Sequence, residues 1–349
     1  MANIFVTGAT GFIGSRLVHR LVGEGHTVHA LSRRENLPPP PGFAADDRPN
    51  FQHTNVRIFL GDITDRESLQ RAMEGCTQVY HLAGYAKNWA RDRQTYFDIN
   101  AGGLRNVCKT AAELKVERIV WTSTMMTFGA TPPGEVHDEQ TRNQSESGSP
   151  RRFTEYELSK VAAEEIAAAY VADGLPLVLV HPARVFGPGY FNEGNALSLV
   201  IDMYDRGKLP FLLGGGRNVG NFVYVDDVVS GLISALQRGG VGEKYILGGE
   251  NLSLKAFFEL VDKASGKRHF QITIRRPGAM IYAWMQKQRA QWFGKYPDIT
   301  PDWVRVFLSD WAYSSAKAQR ELGYQITPID TAVQKTYQWL LRVRAELQV

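Results

Sequence analysis

Apolar and polar positions follow two rhythms along the first half of the chain. Short continuous runs of apolar and β-branched residues recur at Ile4–Thr7, Thr27–Leu31, Arg57–Leu60, Val79–Ala83, Arg118–Ser123 and Leu177–His181, as strands buried on both faces require. Between them the period lengthens to that of a helix, over Ser15–Gly23, Asp65–Glu74, Tyr96–Leu114 and Phe153–Asp173, with Gly75 and Gly174 as stops. Strands separated by helices need crossovers, which are right-handed and set the strands in one parallel sheet. The pattern therefore predicts an α/β chain built on a doubly wound parallel sheet. Pro38–Pro41 and then Asp46–Asn50 break both rhythms and read as a loop. From about Pro188 the pattern loosens and Gly, Tyr and Trp become frequent. A strand at Asn221–Val225 and a helix from Asp226 are predicted to return to the first unit. The expected division is residues 1–187, with a return segment at about 220–240, and a smaller C-terminal α/β cap over most of 188–349.

Composition narrows the class. A chain of 349 residues, 44% of them hydrophobic, can bury a large core. Its formal charge of +4, without a dense Lys/Arg run, argues against nucleic acid as a partner. Two cysteines, Cys76 and Cys108, cannot build a disulfide framework. No charged leader precedes Asn3–Val6 and no apolar run is long enough to span a bilayer, so a cytoplasmic, soluble chain is expected. No clustered His/Cys/Asp spacing suggests a metal site.

Between the first strand and first helix stands Gly8-Ala9-Thr10-Gly11-Phe12-Ile13-Gly14. A pyrophosphate needs close backbone approach and free N–H groups at a helix N-terminus, and glycine supplies the clearance. The first unit is thus expected to be a Rossmann-type dinucleotide-binding domain. An NAD site places an acid at the end of the second strand to accept from the ribose hydroxyls. Here that strand runs into Ser32-Arg33-Arg34, and Arg33 suits a 2′-phosphate. NADP is the expected cofactor, with NAD the alternative. Asp62 and Ile63 follow the third strand, where an acid can meet the adenine amino group. Leu82, Ala83 and Gly84 follow the fourth, small enough for cofactor to pass.

Carbonyl reduction needs a proton donor at the developing alkoxide and a second donor to orient the oxygen. Tyr156 and Lys160 share a helix face at i, i+4, and a neighbouring ammonium is expected to lower the tyrosine pKa. Tyr204/Lys208 and Tyr313/Lys317 have the same spacing, but the first ends a helix and the second falls in the expected cap. Only Tyr156 follows a hydroxyl-rich strand end, Thr122-Ser123-Thr124, and precedes another sheet strand. Ligands sit at the carboxyl ends of such strands, so Thr124 and Tyr156 are expected to meet there.

This ordered set resembles the extended short-chain dehydrogenase/reductases. It comprises the glycine loop, Gly61-Asp62-Ile63, His81–Gly84, Asn100, Thr122–Thr124, Tyr156/Lys160, His181–Gly189 and Val225-Asp226-Asp227-Val228, and covers nearly the whole chain. The resemblance implies Tyr156 as general acid/base with Lys160 as its partner. It implies Thr124 as the carbonyl-orienting hydroxyl, with Ser123 one register away. It also implies Asn100 and Pro182 through Val185, including Val185 itself, along the nicotinamide, and a homodimer through the helices at Tyr96–Leu114 and Phe153–Asp173. Nucleotide-sugar epimerases and dehydratases share the constellation, but many carry Arg-Asp where this chain has Gly220-Asn221. A diphosphate favours such a clamp, although Arg217 is a candidate substitute. Tyr245–Asn251 and Glu321–Tyr324 are similar to the dihydroflavonol-4-reductase-like and 3β-hydroxysteroid-dehydrogenase-like branch.

The expected activity is hydride transfer between NADP and a ketone, aldehyde or secondary alcohol on a hydrophobic small molecule. The rivals are an NAD-dependent nucleotide-sugar epimerase or dehydratase and a catalytically silent NADP-binding sensor. In the cap, Met280, Ile281, Tyr282, Trp284, Trp292 and Phe293 occupy a helical stretch with Lys287, Arg289 and Lys295. They read as cap core, with a substrate wall or a weak membrane-surface contact as alternatives. His81 reads as structural, and the polar stretch Pro132–Ser149 as a mobile loop rimming the site.

Overall fold

The computed structural model describes residues 1–44, 47–141 and 152–348. Its first half contains β1 (Asn3–Thr7), α1 (Phe12–Gly23), β2 (Thr27–Ser32), β3 (Val56–Leu60), α2 (Arg66–Met73) and β4 (Gln78–His81). There follow α3 (Gln94–Phe97), α4 (Gly103–Glu113), β5 (Arg118–Thr122), α5 (Glu155–Ala172), β6 (Leu177–Pro182) and β7 (Arg184–Phe186). The second half adds α6 (Ala196–Asp205), β8 (Phe211–Leu213), β9 (Val219–Tyr224), α7 (Val225–Arg238), β10 (Lys244–Leu247) and β11 (Glu250–Ser253). It closes with α8 (Leu254–Ser265), β12 (Ile272–Ile274), α9 (Arg276–Phe293), α10 (Pro301–Phe307), α11 (Ala316–Leu322) and α12 (Ile329–Leu347).

Seven strands form one parallel sheet in the order β10-β6-β5-β4-β1-β2-β3. Strand alternation sends Ile4, Val6, Val28 and Val180 to one face and Phe5, Leu31 and Leu179 to the other. Leu17, Leu21, Val228, Leu232 and Leu322 cover the first face, and Leu69, Met73, Leu104, Val107 and Ala163 the second. This is a Rossmann-type doubly wound α/β fold. The order reverses between β1 and β4, whose ends pair at Thr7 and His81, and that reversal opens the crevice where such sheets bind ligands.

The return from the second half follows the expectation for the helix from Asp226 and departs from it for the strand. β9 does not enter the main sheet; it lies between β7 and β11 in a three-stranded one. It is α7, β10 and α11 that rejoin, and β10 supplies the edge strand beside β6. Tyr313/Lys317 consequently lies against that edge and not in a cap: the Lys317 ammonium donates to Glu243 and to the Lys244 carbonyl. Tyr204 is buried and stacks on Phe258. The rim stretch Pro132–Ser149 is described only to residue 141, where Thr131 and His137 bridge to Asp310 and Tyr313; the remainder lies outside the described residues.

α9 corrects the reading of cap core. Ile281, Tyr282, Trp284, Trp292 and Phe293 are exposed, Trp292 by 74% and Phe293 by 71%. The face turned inwards carries Ala279, Ala283, Gln286 and Ala290, so small residues allow close packing while the bulky ones point out. Among the described residues no helix is long and apolar enough to cross a membrane.

Asn221 ties the second sheet to residues 310–315. Its amide donates to Asn251 at 2.9 Å and to the Tyr313 carbonyl at 3.1 Å, and its oxygen accepts from the Gly249 N–H at 2.8 Å. The side chain is fully buried, so its loss strands these partners without water. Asn221→Ala is expected to cost roughly 2–4 kcal/mol in urea titration; a loss below about 1 kcal/mol would contradict this role.

Candidate active site

The glycine loop is shaped by contacts that a side chain would fill. Gly8 has φ +69°, and a Cβ there would lie 2.7 Å from the Ala83 nitrogen. A Cβ on Gly14 would lie 2.0 Å from the Gly8 carbonyl oxygen. The Gly11 N–H closes the turn onto that same oxygen at 2.9 Å. Gly11 caps α1 without a side chain, which leaves the first helical N–H groups, beside Thr10, Phe12 and Ile13, to face outward. The Phe12 ring packs where a Cβ of Gly189 would fall, and Arg16 pairs with Asp226 at 2.9 Å. Thr7 joins the neighbouring strand ends, bonding His81 at 2.6 Å and accepting from the Ala83 N–H at 3.2 Å. Burial and then Lys160 hold His81 down at about 3, so it is a neutral, structural imidazole.

At the end of β2 the Ser32 hydroxyl bonds both the N–H and the carbonyl of Arg34. This turn leaves Arg33 exposed, with no hydrogen bond or ion pair among the described residues. Asp62 stands half-exposed after β3, one oxygen bound by Thr64 and the other open. Ile63 lies deeper, packed against Gly103. Leu82 and Ala83 pack on opposite faces of the sheet. A Cβ on Gly84 would stand 3.1 Å from Asn100 Oδ1 and 3.5 Å from Lys160 Nζ.

Asn100 occupies a π-helical turn, Asp98–Gly102, between α3 and α4, an irregularity frequent at functional sites. Its oxygen accepts from the Tyr85 N–H at 2.7 Å, and its amide donates to the Tyr85 carbonyl at 3.2 Å and to Ser159 at 2.9 Å. With all these groups engaged, Asn100 fastens the Gly84–Tyr85 backbone to α5. Pro182 ends β6, and Val185 pairs with Val223 in β7.

A capping box fixes the start of α5. Thr154 accepts from the Glu157 N–H at 3.2 Å, and the Glu157 carboxylate accepts from the Thr154 N–H at 2.8 Å. Tyr156 in that first turn faces Thr124, whose hydroxyl opposes the rise in its pKa and caps the short turn Met125–Phe128. Ser123, one residue earlier, donates to Glu164 at 2.8 Å instead. One turn on, the buried Lys160 ammonium donates to the Thr122 carbonyl at 2.9 Å and lies 5.3 Å from the centre of the Trp121 ring. Burial lowers it to about 8, opposed by Glu164. Burial pushes Tyr156 up to about 12, opposed by the Thr124 hydroxyl. The expected depression of Tyr156 by Lys160 is thus absent here, since desolvation dominates and the ammonium is turned to a carbonyl.

Glu164 was not visible as a functional residue in the sequence. It accepts from Ser123, lies 3.0 Å from His181 Nε2 and accepts from Lys244 at 2.5 Å. Burial alone would raise its carboxyl, but His181 and Lys244 hold it well below the usual range. Its position four residues after Lys160 was a legible signal; its partners on β6 and β10 were not. A cavity of about 300 Å³ opens beside Thr154 and Glu155, walled by Trp89, Lys287, Gln291 and Trp303.

The arrangement fits a nicotinamide dinucleotide: a cradle that any Cβ would fill, an unpaired cation at the end of β2 and a buried Thr122 hydroxyl without a partner. Fold and site together define a nicotinamide-dinucleotide enzyme of the extended short-chain dehydrogenase/reductase type. The chain belongs to the NAD dependent epimerase/dehydratase family, whose model matches residues 4–248. It is 28% identical to a putative dihydroflavonol 4-reductase of Synechocystis, over 96% of this chain and 93% of that one. It is 23% identical to the human decarboxylating sterol-4-alpha-carboxylate 3-dehydrogenase, over 97% and 88%. A dTDP-glucose 4,6-dehydratase from Bacillus anthracis, solved with NAD, shares the fold with a TM-score of 0.75 at 21% identity, over 99% of this chain and 98% of that one.

Glu164→Gln is expected to lower stability at pH 7 by roughly 2–4 kcal/mol, since it leaves buried partners uncompensated. The folded carboxyl titrates below its ordinary 4.5, so this contribution is complete above that pH and fades as the pH falls beneath it. Denaturant melts at pH 7 and pH 3.5 should therefore separate wild type and variant at the first pH and draw them together at the second. An equal gap at both would contradict the ion cluster.

Proposed function

We propose that the chain is an NADP-dependent oxidoreductase of a hydrophobic ketone, aldehyde or secondary alcohol, with Tyr156 moving the proton. The observation that supports this most is the Thr124–Tyr156 hydroxyl pair at the carboxyl end of β5, with Lys160 sealed beside it. In this reading Gly8, Thr10, Gly11, Phe12, Ile13 and Gly14 hold the pyrophosphate on α1. Arg33 meets the 2′-phosphate, and Asp62 and Ile63 flank the adenine. Leu82, Ala83, Gly84, Asn100, Thr122, Pro182 and Val185 border the nicotinamide half. When bound, the nicotinamide supplies or accepts the hydride.

Thr124 and Tyr156 offer two O–H donors to one substrate oxygen. As negative charge grows on that oxygen, the Tyr156 proton passes to it, and Thr124 keeps its hydrogen bond. Lys160, one helical turn on from Tyr156, keeps a cation at the same strand end. Because Lys160 titrates at about 8, its cation, and turnover with it, is full below that pH and falls above it. The similarity to proteins named as a dihydroflavonol reductase and a sterol dehydrogenase supports an apolar substrate. The missing acid after β2, and Arg33 without a partner among the described residues, support NADP over NAD. Tyr156→Phe should lower kcat/KM with NADPH by on the order of 10²–10⁴, and Arg33→Ala should reduce the preference for NADPH over NADH roughly tenfold. Undiminished turnover in the first variant would remove the mechanism, and an unchanged preference in the second would remove NADP.

We further assign the outer face of α9 to an anionic bilayer surface. Ile281, Trp284, Met285 and Trp292 form one exposed stripe. Residues 263–297 hold eight Lys/Arg and no Asp/Glu. Exposed tryptophans among these cations, of which Lys267 pairs with Asp205, suit the headgroup region of anionic lipid, where an apolar substrate would be dissolved. Cosedimentation with phosphatidylserine vesicles is expected, weak with phosphatidylcholine alone, and lost in a Trp284→Ser/Trp292→Ser variant. No binding at low salt would contradict it.

A further inference from the structure

Arg184 stands on β7, two residues beyond the end of β6, and is half-buried. Among the described residues it makes no hydrogen bond and no ion pair; its guanidinium lies over two rings, 5.7 Å from the centre of Phe222 and 5.9 Å from that of Phe307. The space it fills is left by a glycine: a Cβ on Gly220 would stand 2.6 Å from Nη1. Burial alone pulls its pKa down to about 10, and no charged neighbour opposes this. Its nitrogens are nevertheless not sealed in, since none is among the buried unpartnered atoms. A cation withdrawn from water without an anion is costly unless a ligand compensates it. The preceding residue, Ala183, packs against the cluster of Met125, Ile246, Val306, Trp311 and Tyr313, and Met125 directly follows Thr124. Phe307, one of the two rings, ends α10, whose Trp303 walls the cavity beside Thr154 and Glu155.

We propose that Arg184 is the receptor for a carboxylate carried by the apolar substrate. This rests on the oxidoreductase reading above. The aromatic faces hold the guanidinium plane while leaving its edge for a ligand, and a planar fork matches a carboxylate with two parallel hydrogen bonds. The same rings offer apolar surface to the substrate body next to its charge.

The test is calorimetric titration of the NADP-saturated protein with 3-hydroxydodecanoate and with its methyl ester, in wild type, Arg184→Lys and Arg184→Met. Wild type is expected to bind the acid roughly 10–100-fold more tightly than the ester, a ratio that collapses towards one in Arg184→Met and is partly kept in Arg184→Lys. Equal affinities in wild type, no saturable binding of the acid, or a ratio unchanged in Arg184→Met would overturn the proposal. Arg184-dependent binding of UDP-glucose in place of the acid would overturn it too. Reduction of NADP is followed in the same samples. Selective binding without turnover would sink the oxidoreductase reading and leave the receptor standing, whereas turnover of acid and ester alike would do the reverse.

Discussion

Glu164 has to stay ionised at the junction of α5 with three strands, and much of the site follows from how that is done. Ser123, His181 and Lys244 reach it from β5, β6 and β10, so one carboxylate pins the helix to the carboxyl half of the sheet. The pinning turns Ser123 away from the crevice, leaves Thr124 to meet Tyr156, and supports the charge on Lys160 one turn earlier. A buried ion cluster of this kind contributes little net stability compared with apolar packing. Its consequence here is positional: the spacing of Tyr156 and Lys160 becomes a fixed relation to the strand ends. Asn100 does the same from the other side, holding the Gly84–Tyr85 backbone against Ser159.

The sheet was legible because its strands are buried on both faces, and continuous apolar runs survive any change of detail. The glycine loop was legible because clearance of 2.0–2.7 Å leaves no room for another residue at Gly8 or Gly14. β10 escaped notice since a four-residue edge strand, Lys244–Leu247, needs only half the apolar signal. The partners of β9 were not legible, because strand propensity says nothing about pairing. Hydrophobicity alone makes the α9 aromatics read as core, but Ala279, Ala283, Gln286 and Ala290, spaced four and three residues apart, take the inward face. Tyr156 was expected to be depressed by its lysine, which considered charge and omitted desolvation.

The substrate side emerges from features that cost stability and are retained. Arg184 gives up hydration without gaining an anion among the described residues, and α9 exposes tryptophan. Such departures from good packing concentrate where a ligand or surface completes the contact. Both support the proposal of an apolar substrate with an acidic end.

The central claim is that Thr124, Tyr156 and Lys160 serve net hydride transfer to an external substrate. The direct measurement is single-turnover reaction with NADPH deuterated at the nicotinamide C4, followed by mass spectrometry of the product. The account predicts one deuterium on the new carbinol carbon and stoichiometric formation of NADP. Product free of label, with the dinucleotide retained unchanged on the protein, would contradict it.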